Sequence, residues 1–264
     1  MGVIDSTGAI GRRAMLRAAV VLPLAACTAG PPAQAPAGSQ PGPPGPTAPP
    51  TGATGSTGAG PSSAALPSGE VAHATTGRPE VALTFHGAGD AGLARKVLTT
   101  LHDRGAAVTV LAVGTWLAQN PDAAAMVIGL GHEIGNHTYS HRDIDGMGTA
   151  AARTEIERCR DLIATATGGP GAFFRPSQAQ HATPEIIRLA AAAGYPTVLS
   201  YDVDSQDFTD PGAAAIRRNV APAGPGSVVS MHLGHPGTLT ALPGLLDDLA
   251  GRGLTPVTAT RLLG

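Results

Sequence analysis

From residue 80 onward, short apolar runs alternate with longer stretches in which apolar residues recur every three or four positions. The runs 81–85, 107–113, 196–201 and 227–231 read as buried strands. The stretches 91–104, 150–167, 184–193 and 239–252 carry the helical period, and Gly105, Gly168, Gly194 and Gly253 stand where left-handed C-terminal caps would fall. Alternation of this kind predicts an α/β fold with parallel strands and crossover helices. In a barrel or an open sheet alike, chemistry then belongs beyond the carboxyl ends of the strands. Polar residues stand there: Thr84-Phe85-His86-Gly87 after the first strand, Tyr201-Asp202-Val203-Asp204 after a later one, and Met231-His232 at the penultimate one.

Composition divides the 264 residues into three parts. Residues 28–69 are almost wholly Pro, Gly, Ala, Ser and Thr, and only Leu66 among them is large and apolar. Such a segment buries too little surface to offset its ordering entropy, so 28–77 is expected to be a linker. Its glycines do not keep the third-position repeat that a collagen helix needs. Ahead of it, Arg12 and Arg13 precede an apolar stretch over 18–26, the pattern of an export signal and too short for a membrane span. Leu24-Ala25-Ala26-Cys27 resembles a bacterial lipobox, and the arginine pair loosely resembles a twin-arginine signal. That resemblance implies residues 1–27 as signal, lipid on Cys27, and a domain over 78–264 tethered by its linker to the outer face of the cell membrane. The alternative is a cleaved, secreted protein. The formal charge of -2 comes with no basic stripe, which argues against nucleic acid as a partner, and no protein partner is inferred. Cys159 falls in a helical pattern and reads as a small buried apolar residue.

Candidate chemistry centres on His137 and His141. If the chain turns into a helix after Ile134-Gly135-Asn136, the spacing puts both imidazoles on one face, within reach of one ion. Imidazole suits zinc and other late divalent metals. Two histidines at the exposed start of a helix would look the same in sequence, and a third ligand is needed to complete a site.

The run His137-Thr138-Tyr139-Ser140-His141 resembles the metal-binding motif of polysaccharide deacetylases, the NodB-homology domain of carbohydrate esterases. The resemblance continues in order along residues 80–264. Residues 81–85 are similar to the strand leading into the first motif, and Phe174-Arg175-Pro176-Ser177 to the third. Asp204-Ser205-Gln206-Asp207-Phe208 resembles the fourth, with Phe where the family has Trp, and residues 227–232 resemble the fifth. The family's fold is an irregular (β/α) barrel. Its chemistry uses a divalent metal to polarise an acetamide carbonyl and to acidify water, a carboxylate as base and an imidazolium as acid. Carried over, the resemblance implies His232 as acid, Asp207 as the partner of its ring and Arg175 as the group orienting the base.

The first motif departs from the family. The pattern Thr-Phe-Asp-Asp-Gly supplies the base and the third ligand, whereas this strand ends Thr84-Phe85-His86-Gly87-Ala88-Gly89-Asp90. Three readings stay open. Asp90 folds back across the glycine loop to supply a carboxylate, with His86 as base or ligand; or His86 completes a three-histidine metal site and Asp90 is the base; or the site is inactive and the domain binds glycan or scaffolds something else. The expectation is a metal-dependent deacetylase of an acetylated extracellular or cell-wall polysaccharide, with zinc as the expected divalent metal. The alternatives are a catalytically impaired glycan-binding lipoprotein, or a metal hydrolase with a changed substrate.

Overall fold

The computed structural model describes residues 65–264. The expected export signal, Cys27 and the linker as far as residue 64 lie outside the described residues. No helix within them is long and apolar enough to cross a membrane. The elements follow in the order β1 Gly69–Val71, β2 Glu80–Gly87, α1 Ala91–Asp103, β3 Thr109–Ala112, α2 Gly114–Gln119, α3 Ala123–Gly129, β4 Glu133–Asn136, α4 Thr149–Thr167 and β5 Phe173–Phe174. After these come α5 Pro184–Ala192, β6 Thr197–Leu199, β7 Val203–Asp204, α6 Ala213–Val220, β8 Val228–His232, α7 Pro236–Gly251, β9 Thr255–Val257 and α8 Ala259–Leu263. The four glycines expected to cap helices all take positive φ, between 69° and 98°.

The strands form one parallel sheet in the order β1-β6-β5-β4-β3-β2-β8-β7, with β9 pairing the first residues of β2. It curls into a half-barrel of the irregular (β/α) type. The rim between its two edge strands is bridged after β1, where Ala74 N–H donates to Gly226 O at 2.8 Å and His73 pairs with Ser227. Asp202 fastens this seam by accepting from His73 Nδ1 (2.8 Å), Ser227 Oγ (3.0 Å) and Val228 N–H (2.8 Å).

The domain was expected to start at residue 78, yet Gly69–Val71 add a strand to β6 in register with Thr197–Leu199. Three short residues beside a Pro/Gly-rich run carry no periodicity, and only pairing with a distant strand makes them a strand.

Alternation along β2 sorts the core into two sides. Val81, Leu83 and Phe85 face outward into the helical layer with Val97, Leu98 and Leu101 of α1 and Leu242, Leu245 and Leu249 of α7. Ala82 faces the barrel interior with Leu111, Phe173, Leu199 and Val228, and α8 plugs that end with Ala259 and Leu262. Strand register then stacks the interior in layers: Ala82 beside Val228, Thr84 beside Ser230, and His86 beside His232. Moving along β2, the interior turns from apolar to polar to imidazole, so the functional groups collect at the carboxyl ends of the strands.

Candidate active site

His86 near the end of β2, His137 just past β4 and His141 in the following loop bring one ring nitrogen each to within 4.8 Å of one another. His137 Nε2 and His141 Nε2 lie 3.1 Å apart, and the His86 and His137 ring centroids 4.2 Å apart. His137 is oriented from behind, its Nδ1 donating to Arg175 O at 3.0 Å, which leaves Nε2 as the free lone pair. A carbonyl behind a histidine is the usual way of fixing a ligand's tautomer. Burial, with the neighbouring positive groups, holds His86 and His137 well below the ordinary imidazole value, and burial likewise lowers His141. Neutral imidazole is the ligating form, so the donor chemistry of this cluster fits a divalent ion.

The expected helix across 137–141 does not form. The segment is a loop in which Thr138 (φ 64°) and His141 (φ 55°) take left-handed conformations. Asn136 explains the turn: its Oδ1 accepts from Thr138 N–H at 2.9 Å, while its Nδ2 is tied to Ile156 O at 2.8 Å. The histidines therefore converge through loop geometry rather than through helical periodicity.

Arg175, directly after β5, is fully buried. It donates to Leu199 O (2.7 Å), Ser200 O (3.1 Å), Thr84 Oγ1 (2.8 Å) and His86 Nε2 (3.2 Å). All four partners are neutral, and burial pulls the guanidinium down to about 10, so it stays charged at neutral pH. Arg175 thus ties the His86 ring to the β5 and β6 ends of the sheet.

Opposite this cluster, the His232 and His86 rings lie edge to face at 4.4 Å. Asp207 opens a short 3-10 turn, Asp207–Thr209, and is fully buried. Its Oδ1 accepts from His232 Nδ1 at 2.7 Å, while Oδ2 accepts from His232 N–H (2.8 Å) and Thr238 Oγ1 (2.6 Å). Burial pushes the Asp207 carboxyl up, but these donors outweigh it and leave the group below its ordinary value. Phe208 stands exposed at the mouth, 5.3 Å from the His232 ring.

Asp90 is the correction. Its carboxylate caps α1 by accepting from Leu93 N–H at 2.7 Å, and the residue is exposed. It does not fold back into the histidine cluster, because an aspartate ahead of a helix finds unsatisfied N–H groups within three residues. The carboxylate that does line the cavity, of about 380 Å³ with His86, His141, Tyr201, Phe208 and His232, is Asp204. It lies across from Ser230, itself across from Thr84. The sequence displays Asp204 within the fourth motif, but only the strand register reveals that it faces the cavity.

Gly87, where the family has its metal-binding aspartate, is closed off. A Cβ there would stand 2.9 Å from Val110 Cγ1, 3.0 Å from Ala112 Cα and 3.3 Å from Trp116.

Residues 73–198 match the family model for polysaccharide deacetylase. A peptidoglycan-N-acetylglucosamine deacetylase of Bacillus cereus is 30% identical over 188 residues, covering 69% of this chain and 87% of the relative. The chain belongs to the polysaccharide deacetylase family. A family 4 carbohydrate esterase from Streptomyces lividans, solved in complex with acetate, is 33% identical with a TM-score of 0.63, over 67% of this chain and 90% of that one. A family 4 pseudoenzyme from Bacillus anthracis shares the fold, with a TM-score of 0.70 at 23% identity, over 75% of this chain and 70% of that one. Relatives in this family are named as deacetylases, hydrolases of C–N bonds other than peptide bonds, and the family also includes pseudoenzymes.

Proposed function

We propose that this deacetylase is metal-dependent, with His86, His137 and His141 as ligands of a divalent ion, zinc by donor type. We also propose that its substrate is an acetylated extracellular or cell-wall polysaccharide. The observation that carries this reading is the convergence of three neutral imidazoles, with His86 and His141 lining one cavity together with the Asp207-held His232. The substrate class follows from relatives named for peptidoglycan and chitooligosaccharide deacetylation. The export pattern and Cys27 support a lipid-anchored position at the outer face of the membrane.

When bound, the ion supplies Lewis acidity that polarises an acyl carbonyl and acidifies water. The neutral His86 ring has one lone pair, which Arg175 engages here. Ligation outweighs one hydrogen bond, and Arg175 keeps its three other acceptors. With His86 neutral and its proton affinity depressed, proton acceptance passes to Asp204. Each of its oxygens accepts from Gln206 and retains a free lone-pair position. His232, its Nδ1 held by Asp207 Oδ1, is the group placed to deliver a proton to the leaving nitrogen or oxygen. Phe208 offers an apolar wall to the sugar face.

The test is acetate release from N-acetylated glucosamine oligomers and peptidoglycan. Release is expected to stop with chelator, return with zinc, vanish in His137→Ala and persist in Asp90→Asn, since asparagine caps a helix as well as aspartate. A second reading, a glycan-binding protein without catalysis, is favoured by the loss of both first-motif carboxylates. Glycan affinity indifferent to chelator, with no acetate released by zinc-loaded protein, would establish it and overturn the first.

A further inference from the structure

We infer that Glu155 of α4 is the positioning residue of the 137–141 loop, holding His141 in its chelating arrangement. This rests on the metal-centre reading above. The loop carries two left-handed residues, one of them the β-branched Thr138. L side chains rarely adopt that conformation, and it persists only where the surroundings over-determine it. Several ties do so. Thr138 Oγ1 accepts from His141 N–H at 3.2 Å and donates to Ser177 Oγ at 3.0 Å, and Gln178 Nε2 donates to His141 O at 2.9 Å.

The carboxylate that holds this loop belongs to Glu155. Its Oε2 accepts from Ser140 N–H at 2.7 Å and its Oε1 from Ser140 Oγ at 2.9 Å, so both oxygens grip the residue directly before His141. One turn on, Arg158 lies over the Tyr139 ring at 3.6 Å. Tyr139 is wedged against Gly114, where a Cβ would come within 2.6 Å of it. Helix α4 thus clamps both residues between the loop's left-handed Thr138 and His141. Both of these hydrogen bonds of Glu155 go to Ser140 and neither to a ligand nitrogen. Its effect passes through the conformation of Ser140 to His141.

Zinc affinity of the full chain, read by competition with a chromophoric chelator, tests this assignment in Glu155→Ala, Glu155→Gln and Ser140→Ala. Glu155→Ala is expected to weaken zinc binding about 10–100-fold, the usual consequence of losing an outer support of a ligand. Glu155→Gln is expected to recover most of that affinity. Its carbonyl can accept from Ser140 N–H while its amide donates to Ser140 Oγ. Ser140→Ala keeps the N–H bond and falls between. Circular dichroism of the metal-free proteins identifies any variant that fails to fold, in which case glutamine and Ser140→Ala carry the comparison. Zinc binding in Glu155→Ala within about twofold of the unsubstituted chain, or a folded glutamine variant no better than a folded alanine one, overturns the positioning role alone. Absence of zinc binding in the unsubstituted chain overturns the metal-centre reading and this one together.

Discussion

Asp207→Asn is expected to lower kcat by about 10²–10⁴-fold, the range for loss of a general acid, while zinc affinity stays unchanged. The direction follows from how the carboxylate is used. Oδ2 faces two donors, His232 N–H and Thr238 Oγ1, so the amide oxygen of asparagine must settle there. The amide NH2 then faces His232 Nδ1, which has to present its lone pair. Protonating that ring would set donor against donor, so the imidazolium needed to protonate the leaving group is disfavoured. The substitution is nearly isosteric, and His232 is outside the group of three ligands. Steady-state kinetics with zinc titration check the split. Unchanged kcat would remove His232 from the acid role.

Gly87→Asp, which restores the family's residue at that position, is expected to destabilise the fold by about 3 kcal/mol and to restore nothing. Overpacking costs about 1–3 kcal/mol, and the carboxylate is buried as well. The Cβ would press on Val110, on the Ala112 backbone and on Trp116, whose Nε1 is already committed to Gly89 O. In a domain of this size each kcal/mol moves Tm by about 2–4 °C, so thermal melts resolve the effect readily. An aspartate variant that melts with the parent and deacetylates faster would show that the space can open.

Much of this was legible in the chain. The apolar runs and glycine caps gave the parallel α/β alternation, because a buried strand and an amphipathic helix leave different periods. The short strands β5 and β7, two residues each, left no such period and are held by their neighbours in the sheet. Among the site residues, His137, His141, Arg175, Asp207 and His232 could be named from ordered motifs. Their meeting depends on strand register and on an irregular loop, neither of which spacing encodes. Asp90 misled because a carboxylate next to a glycine loop reads as mobile and available, whereas α1 takes it as a cap. The placement of Asp204 and Glu155 is not legible for the opposite reason. Each acts across the fold, one from a strand facing the cavity and one from a helix face under the loop.

The proposed metal centre is built from three imidazoles without a carboxylate. Zinc K-edge absorption on the zinc-loaded chain, alongside His86→Ala, tests it most directly. The prediction is scattering from three imidazole nitrogens at about 2.0–2.1 Å, falling to two in His86→Ala. Two imidazoles in the unsubstituted chain, unchanged on removing His86, would contradict the account and leave His86 solely as the partner of Arg175.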